Sequence, residues 1–356
     1  MRLTFGILCW NEAKRIGPTI ESLFAQSLFT STPADIEAIE VVCVPNGCTD
    51  DTAGAAKLAF TRHAPDDPRI TTRVHKIAQG GKANAWNVFI HEASDPQAQF
   101  IYMMDADIQI VHPDTLVNML TALREDEHAY ASAPLPLKHT AFNKKRSLMD
   151  RLSLAMSGMA QSGPYVPLPG CLYCARASVL RGLYLPTGII AEDSFLKIQL
   201  YNSGFREADD YRRVIRAPAQ VPAGIAECFE TYTTLGDALY HQKRRAVARV
   251  CERILYEHIR QSVGPDGASP LIRERNAENP NWLHDLIYDH LRMDRWWVLP
   301  AGMARSRFAR LKRLPWWKAV LFAPVAAAAH LVDLHAMWRA NRAFKNHTAL
   351  KVWRRD

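Results

Sequence analysis

The sequence predicts an α/β protein built on a Rossmann-like, mostly parallel sheet flanked by helices, with a helical C-terminal extension. Apolar runs and amphipathic stretches alternate four times in the first 110 residues, the order that right-handed strand–helix–strand crossovers produce. The first of the runs, Leu3–Cys9, is a continuous apolar run bounded by polar residues, as expected of a strand covered on both faces. Polar clusters (Asn11-Glu12, Asn46, Asp105 and Asp107) follow them, at the carboxyl ends where such sheets bind ligands.

Leu3–Cys9 is the first predicted strand. Pro18 suits the first turn of the next helix, whose apolar stripe is Ile20, Leu23, Phe24 and Leu28, up to the Ser/Thr/Pro loop at 30–33. Ile39–Val44 is the second strand. The turn after it, Pro45-Asn-Gly-Cys-Thr-Asp50, offers Thr49 or Asp50 as cap for a helix through Ala59. A third strand is expected over Ile70–Ile77, a helix from Gly80-Gly-Lys82 to Ile90, and a fourth strand over Phe100–Met104 running into Asp105-Ala-Asp107. Beyond residue 130, Ala133–Pro136 and Ser162–Gly170 read as loops, and Gly170–Ala175 as a short strand before a helix at Arg176. Ile190–Leu200 is a predicted helix with Glu192 and Asp193 in its first turn, where the helix dipole favours anions. Arg213–Ala217 is a predicted strand and Leu235–Gln261 a long helix; the Gly/Pro-rich segment from Gly264 and the polar run to Asn281 read as a linker.

With 356 residues, 48% hydrophobic and 22% charged, the chain can bury an ample core, and disorder, a collagen repeat or a coiled-coil rod are excluded. Seven scattered cysteines fit reduced thiols. The opening residues reach Glu12 without a small-residue cleavage site, so a cytoplasmic chain is expected. The net charge of +8 is unevenly placed: Met303–Asp356 holds 12 Lys or Arg against 2 acids, leaving the first 302 residues at −2. That tail also carries Trp316, Trp317, Trp338 and Trp353 around an apolar stretch, Ala319–Val332, interrupted by Pro324. The stretch is shorter than the ~20 residues that span a bilayer. It suits a segment lying in the interface of an anionic membrane, on its cytoplasmic face; the alternative is a helical hairpin packed on the core. No nucleic-acid reading motif accompanies the charge, so no nucleic-acid partner is expected.

Asp105-Ala-Asp107 puts two carboxylates at the end of a buried strand, costly to desolvate unless a cation joins them. Oxygen ligands of this kind suit Mg²⁺ or Mn²⁺ shared with a diphosphate. The bland reading is a solvated turn. Gly80-Gly-Lys82 lets backbone approach a ligand beside a cation, although it lacks the Walker spacing, and no dinucleotide fingerprint follows any strand. An acid at Glu192-Asp193 could serve as general base toward a bound hydroxyl, or could simply favour the helix start. Gln242-Lys-Arg-Arg245 offers planar cations for diphosphate recognition, or a solvated helix face. Cys171 and Cys174 have metal-like spacing but no second pair, and no serine elbow occurs.

In order and setting these segments resemble the family 2 glycosyltransferases of GT-A fold, from about Leu3 to Arg245. Trp10-Asn11-Glu12 is similar to that family's Tyr-Asn-Glu turn, and Val41–Asp50 to its second strand and Asp-Asp-Gly-Ser-Thr-Asp loop. Gly81–Asn87 is similar to its Gly-Lys-x-x-Ala-x-Asn helix, and Asp105-Ala-Asp107 to its metal motif. Pro169-Gly170 with Arg176 resembles the acceptor-side segment, Glu192-Asp193 the pair holding the base, and Gln242–Arg245 part of the Gln-x-x-Arg-Trp motif. The resemblance implies a GT-A domain over 1–262, with a nucleotide-binding half at 1–110 and an acceptor half at 130–262. A linker at 263–281 and a basic helical region at 282–356 follow. It implies an inverting, non-processive, metal-dependent transfer from a nucleotide-diphosphate sugar to a hydroxyl of a glycan or lipid-linked acceptor. Asp193 would be the base, and Asp105 and Asp107 would hold Mn²⁺ or Mg²⁺. Trp10, Glu12, Asn46, Lys82, Asp105, Arg244 and Arg245 would bind the donor; Gly170, Glu192 and Gln242 would face the acceptor.

Two departures matter. Pro45-Asn46 replaces the paired acids at the end of strand two, where Asn46 could still pair with a base edge; uridine is preferred over guanosine. Ala246 stands where processive synthases carry Trp, which favours single addition. The rivals are a catalytically silent relative that binds nucleotide or lipid, and a sugar-phosphate nucleotidyltransferase, whose glycine-rich loop after strand one is missing.

Overall fold

The computed structural model of the chain describes residues 1–136, 166, 168–217, 224–226, 235–264, 266–299 and 316–350. In chain order the elements are β1 (Arg2–Cys9), α1 (Ile16–Phe24), α2 (Ser27–Thr30), β2 (Ala38–Pro45), α3 (Thr52–His63), β3 (Ile70–Val74), α4 (Lys82–Val88), β4 (Phe100–Asp105), β5 (Gln109–Ile110) and α5 (Thr115–Glu125). There follow β6 (Ala131–Ala133), β7 (Leu135–Pro136), β8 (Leu172–Arg176), α6 (Ala177–Leu180), α7 (Glu192–Tyr201), β9 (Val214–Arg216) and β10 (Gly224–Ala226). The remaining helices are α8 (Leu235–Ser262), α9 (Ala268–Glu278), α10 (Trp282–His290) and α11 (Trp316–Lys345). They divide into two compact units. The first comprises Met1–Thr187, Glu192–Thr231 and Val263–Glu278; the second comprises Gly188–Ala191, Tyr232–Ser262 and Asn279–Asp356.

In the first unit a seven-stranded sheet runs in the order β3-β2-β1-β4-β8-β6-β9. The pairs β3–β2, β2–β1 and β1–β4 are parallel, as the alternating pattern requires, while β8 runs antiparallel to β4 and β6. A small second sheet joins β5, β10 and β7. Leu3 to Cys9 are buried because helices cover both faces of the sheet. On one face Phe5 stacks on Tyr102 at 4.3 Å, and the Tyr102 hydroxyl donates to the Leu116 carbonyl at 2.7 Å, so the polar tip of a buried ring is satisfied. On the other face a Cβ at Gly6 would stand 2.6 Å from the Phe89 ring, so only glycine lets the turn after α4 pack this closely. Cys9 pairs with Pro45 and Leu8 with Asp105. The loops after β1, β2 and β4 therefore leave the sheet side by side, and the site forms there.

Four expectations need correction. Ala133–Pro136 is not a loop: it supplies the end of β6 and all of β7, which pair with β9 and β10, a strand pairing that prolines at 134 and 136 conceal. The cap of α3 is Asp51, whose carboxylate accepts from Gly54 N at 3.0 Å; Asp50 instead accepts from Ala13 N at 3.1 Å. Residues 263–281 are not a linker. They hold α9, where Ser269 Oγ accepts from Tyr184 N at 3.2 Å and Asn276 Oδ1 from Thr187 N at 3.0 Å, and Pro270 sits in the first turn, where a missing N–H costs nothing. Consequently 263–278 belongs with the sheet and 232–262 with the C-terminal unit, so the boundary at 262 is displaced.

In the second unit α11 packs on α8 through buried Ala336, Met337, Ala340 and Phe344. Asn341 accepts from Val298 N at 2.7 Å and donates to Trp296 O at 2.9 Å. Among the described residues no helix is long and apolar enough to cross a membrane. Of the basic tail, 303–315 and 351–356 lie outside the described residues, as do 162–165 and 167 of the expected Ser162–Gly170 loop. The thiols of Cys9, Cys43, Cys48, Cys171, Cys174 and Cys251 are free.

Candidate active site

The loop after β1 and the loop after β2 lock together. Asn11 adopts φ 56°, and its Oδ1 accepts from Thr49 N at 2.7 Å; asparagine tolerates that left-handed backbone better than most residues. Glu12 N donates to Thr52 Oγ1 at 2.8 Å, and Trp10, directly after β1, is half-buried. Asn46 is 3% exposed; its Nδ2 donates to Cys9 O at 2.7 Å and its Oδ1 accepts from Gly81 N at 3.0 Å. The amide expected to read a base edge is thus engaged in tying β1, β2 and the glycine loop into one unit.

That tie places Lys82 at the start of α4. Its Nζ lies 2.7 Å from Asp105 Oδ1 and 2.9 Å from Glu192 Oε1, with the Gly170 carbonyl at 3.5 Å. One ammonium therefore bridges the end of β4 and the start of α7. Burial pulls against the charged amine, but Asp105 and Glu192 hold it well above its ordinary value. Asp105 is pushed up to about 6: burial and the Asp107 charge raise it, while Lys82 opposes them. The backbone N–H of Asp105 donates to Cys171 O at 2.9 Å, which anchors the carboxylate turn to the segment bearing Gly170.

Asp193 follows Glu192, and its Oδ1 accepts from Ser194 N at 2.8 Å. Burial and the Glu192 charge raise its carboxyl above the ordinary range. A Cβ at Gly170 would come within 2.9 Å of Asp193 Cβ and 3.4 Å of its Oδ2, so the glycine makes room for the acid. Lys82, Asp105, Gly170, Glu192 and Asp193 line one pocket of about 20 Å³, closed by Trp86, Tyr173, Leu185 and Leu196. Trp86 Nε1 donates to Tyr173 Oη at 2.7 Å, which fixes both rings. The sequence singles out neither aromatic; Trp86 is legible only as part of the Gly81–Asn87 segment, and Tyr173 only within the expected strand Gly170–Ala175.

A second acidic group adjoins the first. Arg15 lies 3.7 Å from Glu12 Oε2 and 3.9 Å from Asp107 Oδ2 but is largely exposed, so it screens them weakly. Glu12 is pushed up to about 7 by burial and by the charge of Asp107, with Asp105 adding to it. Crowded carboxylates of raised proton affinity, offering oxygen donors alone, fit a hard divalent cation. Among the described residues no group of three or more His, Cys, Asp or Glu could hold a metal ion by itself. The protein would supply part of a coordination shell and leave the remainder to a ligand.

A family model for glycosyl transferase family 2 matches residues 4–176, from β1 through β8. That match covers just under half of the chain, the segment that carries the loops after β1, β2 and β4. Among solved structures, the mannosyltransferase PcManGT from Pyrobaculum calidifontis, in complex with GDP-Man and Mn²⁺, is 21% identical with a TM-score of 0.51, over 100% of this chain and 88% of that one. This likeness is one of fold, GT-A. Glucosyl-3-phosphoglycerate synthase from Mycobacterium tuberculosis, in complex with Mn²⁺, UDP-Glc and phosphoglyceric acid, is 17% identical with a TM-score of 0.44, over 70% of this chain and 77% of that one. No curated protein matches the chain.

The matched segment contains Trp10, Glu12, Asn46, Lys82, Asp105, Asp107 and Gly170. Glu192 and Asp193 lie beyond the matched range, in α7 of the same unit. Gln242, Arg244 and Arg245 are on α8 of the second unit, with Arg245 exposed.

Proposed function

We propose that the glycosyltransferase moves a sugar from a nucleotide-diphosphate donor to an acceptor hydroxyl with inversion at the anomeric carbon, one sugar at a time. The observation that carries this reading is the shared pocket of Asp193, Asp105, Lys82 and Glu192. Asp193 would accept the acceptor's proton as the hydroxyl oxygen bonds to the anomeric carbon, while the bond to the diphosphate oxygen breaks and its electron pair leaves with the nucleotide. Burial and the Glu192 charge raise the proton affinity of Asp193, which favours uptake of that proton. Asp105 and Asp107 would hold Mn²⁺ or Mg²⁺, which when bound neutralises charge developing on the leaving diphosphate. Lys82 would meet phosphate, Trp10 and Glu12 the nucleoside side, and Gly170 and Glu192 the acceptor. Uridine diphosphate is the nucleotide to test first, with guanosine diphosphate as comparison. The acceptor is proposed as a glycan or a lipid-linked alcohol, met at the cytoplasmic face of a membrane.

Incubation with UDP- and GDP-sugars, with and without a chelator, tests the reading. Released nucleoside diphosphate that requires Mn²⁺ or Mg²⁺, and an acceptor product of inverted anomeric configuration by NMR, are expected. A retained configuration, or turnover indifferent to the chelator, refutes it.

A further inference from the structure

The helix α11 carries an exposed apolar stripe that no element of its own unit covers among the described residues. Trp316, Val320, Leu331, Leu334 and Trp338 are 79%, 66%, 67%, 38% and 50% exposed, and Ala323 and Ala327 between them are exposed as well. At 100° per residue these seven positions fall within an arc of about 80°, and Trp316 and Trp338 stand about 33 Å apart along the axis. The packing of α11 on α8 uses other positions, Ala336, Met337, Ala340 and Phe344. Burying large side chains is what such a stripe is for; isolated exposed apolar residues are ordinary, a continuous row is not.

Charge selects what covers it. Within α11, Asp333 is the sole acid against Lys318, Arg339, Arg342 and Lys345, and the basic residues preceding and following it bring Met303–Asp356 to 12 cations and 2 acids. The Arg342 guanidinium lies 5.9 Å from the centre of the exposed Trp338 ring, so cation and aromatic sit together at one end of the stripe. A second copy of α11 would bring four cations and a single acid against the same set, and Pro324, exposed on the same helix, interrupts a regular zipper. Tryptophans at both ends, small residues between, flanking cations and too little apolar character to cross a bilayer instead match a helix lying in a headgroup layer.

We propose that this face of α11 seats on an anionic lipid surface. The seat is separate from the pocket around Asp193 and does not depend on the reaction proposed there. The test uses the full chain and two kinds of vesicle, phosphatidylcholine alone and phosphatidylcholine mixed with phosphatidylglycerol. Co-sedimentation with the anionic vesicles, weakened by added salt, and quenching of tryptophan fluorescence by lipids brominated in the acyl chain are expected. The double variant V320E/L331E, both positions exposed, is expected to lose about tenfold or more in vesicle affinity with an unchanged melting temperature. Equal binding to both vesicles, wild-type binding by the variant, or absence of quenching overturns the proposal. So does a dimer in sedimentation equilibrium that the variant dissociates, since a second copy would then cover the stripe.

Discussion

The bridge at Lys82 can be removed with little change of shape by Lys82→Met. Its ammonium is 2.7 and 2.9 Å from two carboxylates, with side-chain exposures of 26% for Lys82, 21% for Asp105 and 11% for Glu192. Removing one partner of a pair this shielded leaves charge uncompensated and costs about 3 kcal/mol. The loss depends on pH in a direction fixed by Asp105. Its carboxyl rises from 3.8 to about 6 on folding, a difference equivalent to about 3 kcal/mol. A group raised in the folded state costs stability above its folded value, and that cost is relieved as pH falls toward its unfolded value. Without Lys82 the Asp105 value moves higher still, so relief begins at a higher pH. Urea unfolding of wild type and Lys82→Met at about pH 8 and about pH 5 is expected to show a larger deficit for the variant at the higher pH. A deficit equal at both, or larger in acid, would refute the assignment of Lys82 as the counter-ion of Asp105.

Other outcomes follow from the same geometry. Gly170→Ala forces its new methyl against Asp193 Cβ, 2.9 Å away; kcat is expected to fall about 10- to 100-fold with donor affinity intact by calorimetry. Asn46→Ala removes the acceptor of Gly81 N and the donor to Cys9 O, so a stability loss of about 2 kcal/mol by thermal melting is expected. Cation affinity, measured by Mn²⁺ titration, is expected to weaken as pH drops through about 7, where Glu12 takes up a proton. Glu12→Gln should flatten that limb.

The sheet was legible because its central strands are mostly apolar: Leu3–Cys9 and Ile39–Val44, broken only by Thr4 and Glu40, point to burial on both faces. What escaped was set by distant partners. The reversed direction of β8 depends on its register with β4, Tyr102 opposite Cys174, which no local pattern encodes. The α9 helix hid behind Gly264, Pro265 and Gly267, since composition marks the turn before a helix as readily as a linker. At the site, the clusters Asp105, Lys82 and Glu192-Asp193 could be listed from their types and positions. That Lys82 stands between two carboxylates could not, because its partners are 23 and 110 residues further along the chain. Asn46 was legible as a polar group at the end of β2, but not that its amide closes onto Cys9 O and Gly81 N, because those partners come from β1 and from the glycine loop before α4.

The central claim is that Asp193 serves the acceptor while other residues hold the donor. Asp193→Asn preserves shape and removes the base, so the decisive measurement pairs its transfer rate with its donor affinity by calorimetry in Mn²⁺. Transfer reduced by about a thousandfold or more, with a dissociation constant near that of wild type, is expected. Transfer at the wild-type rate would contradict the account.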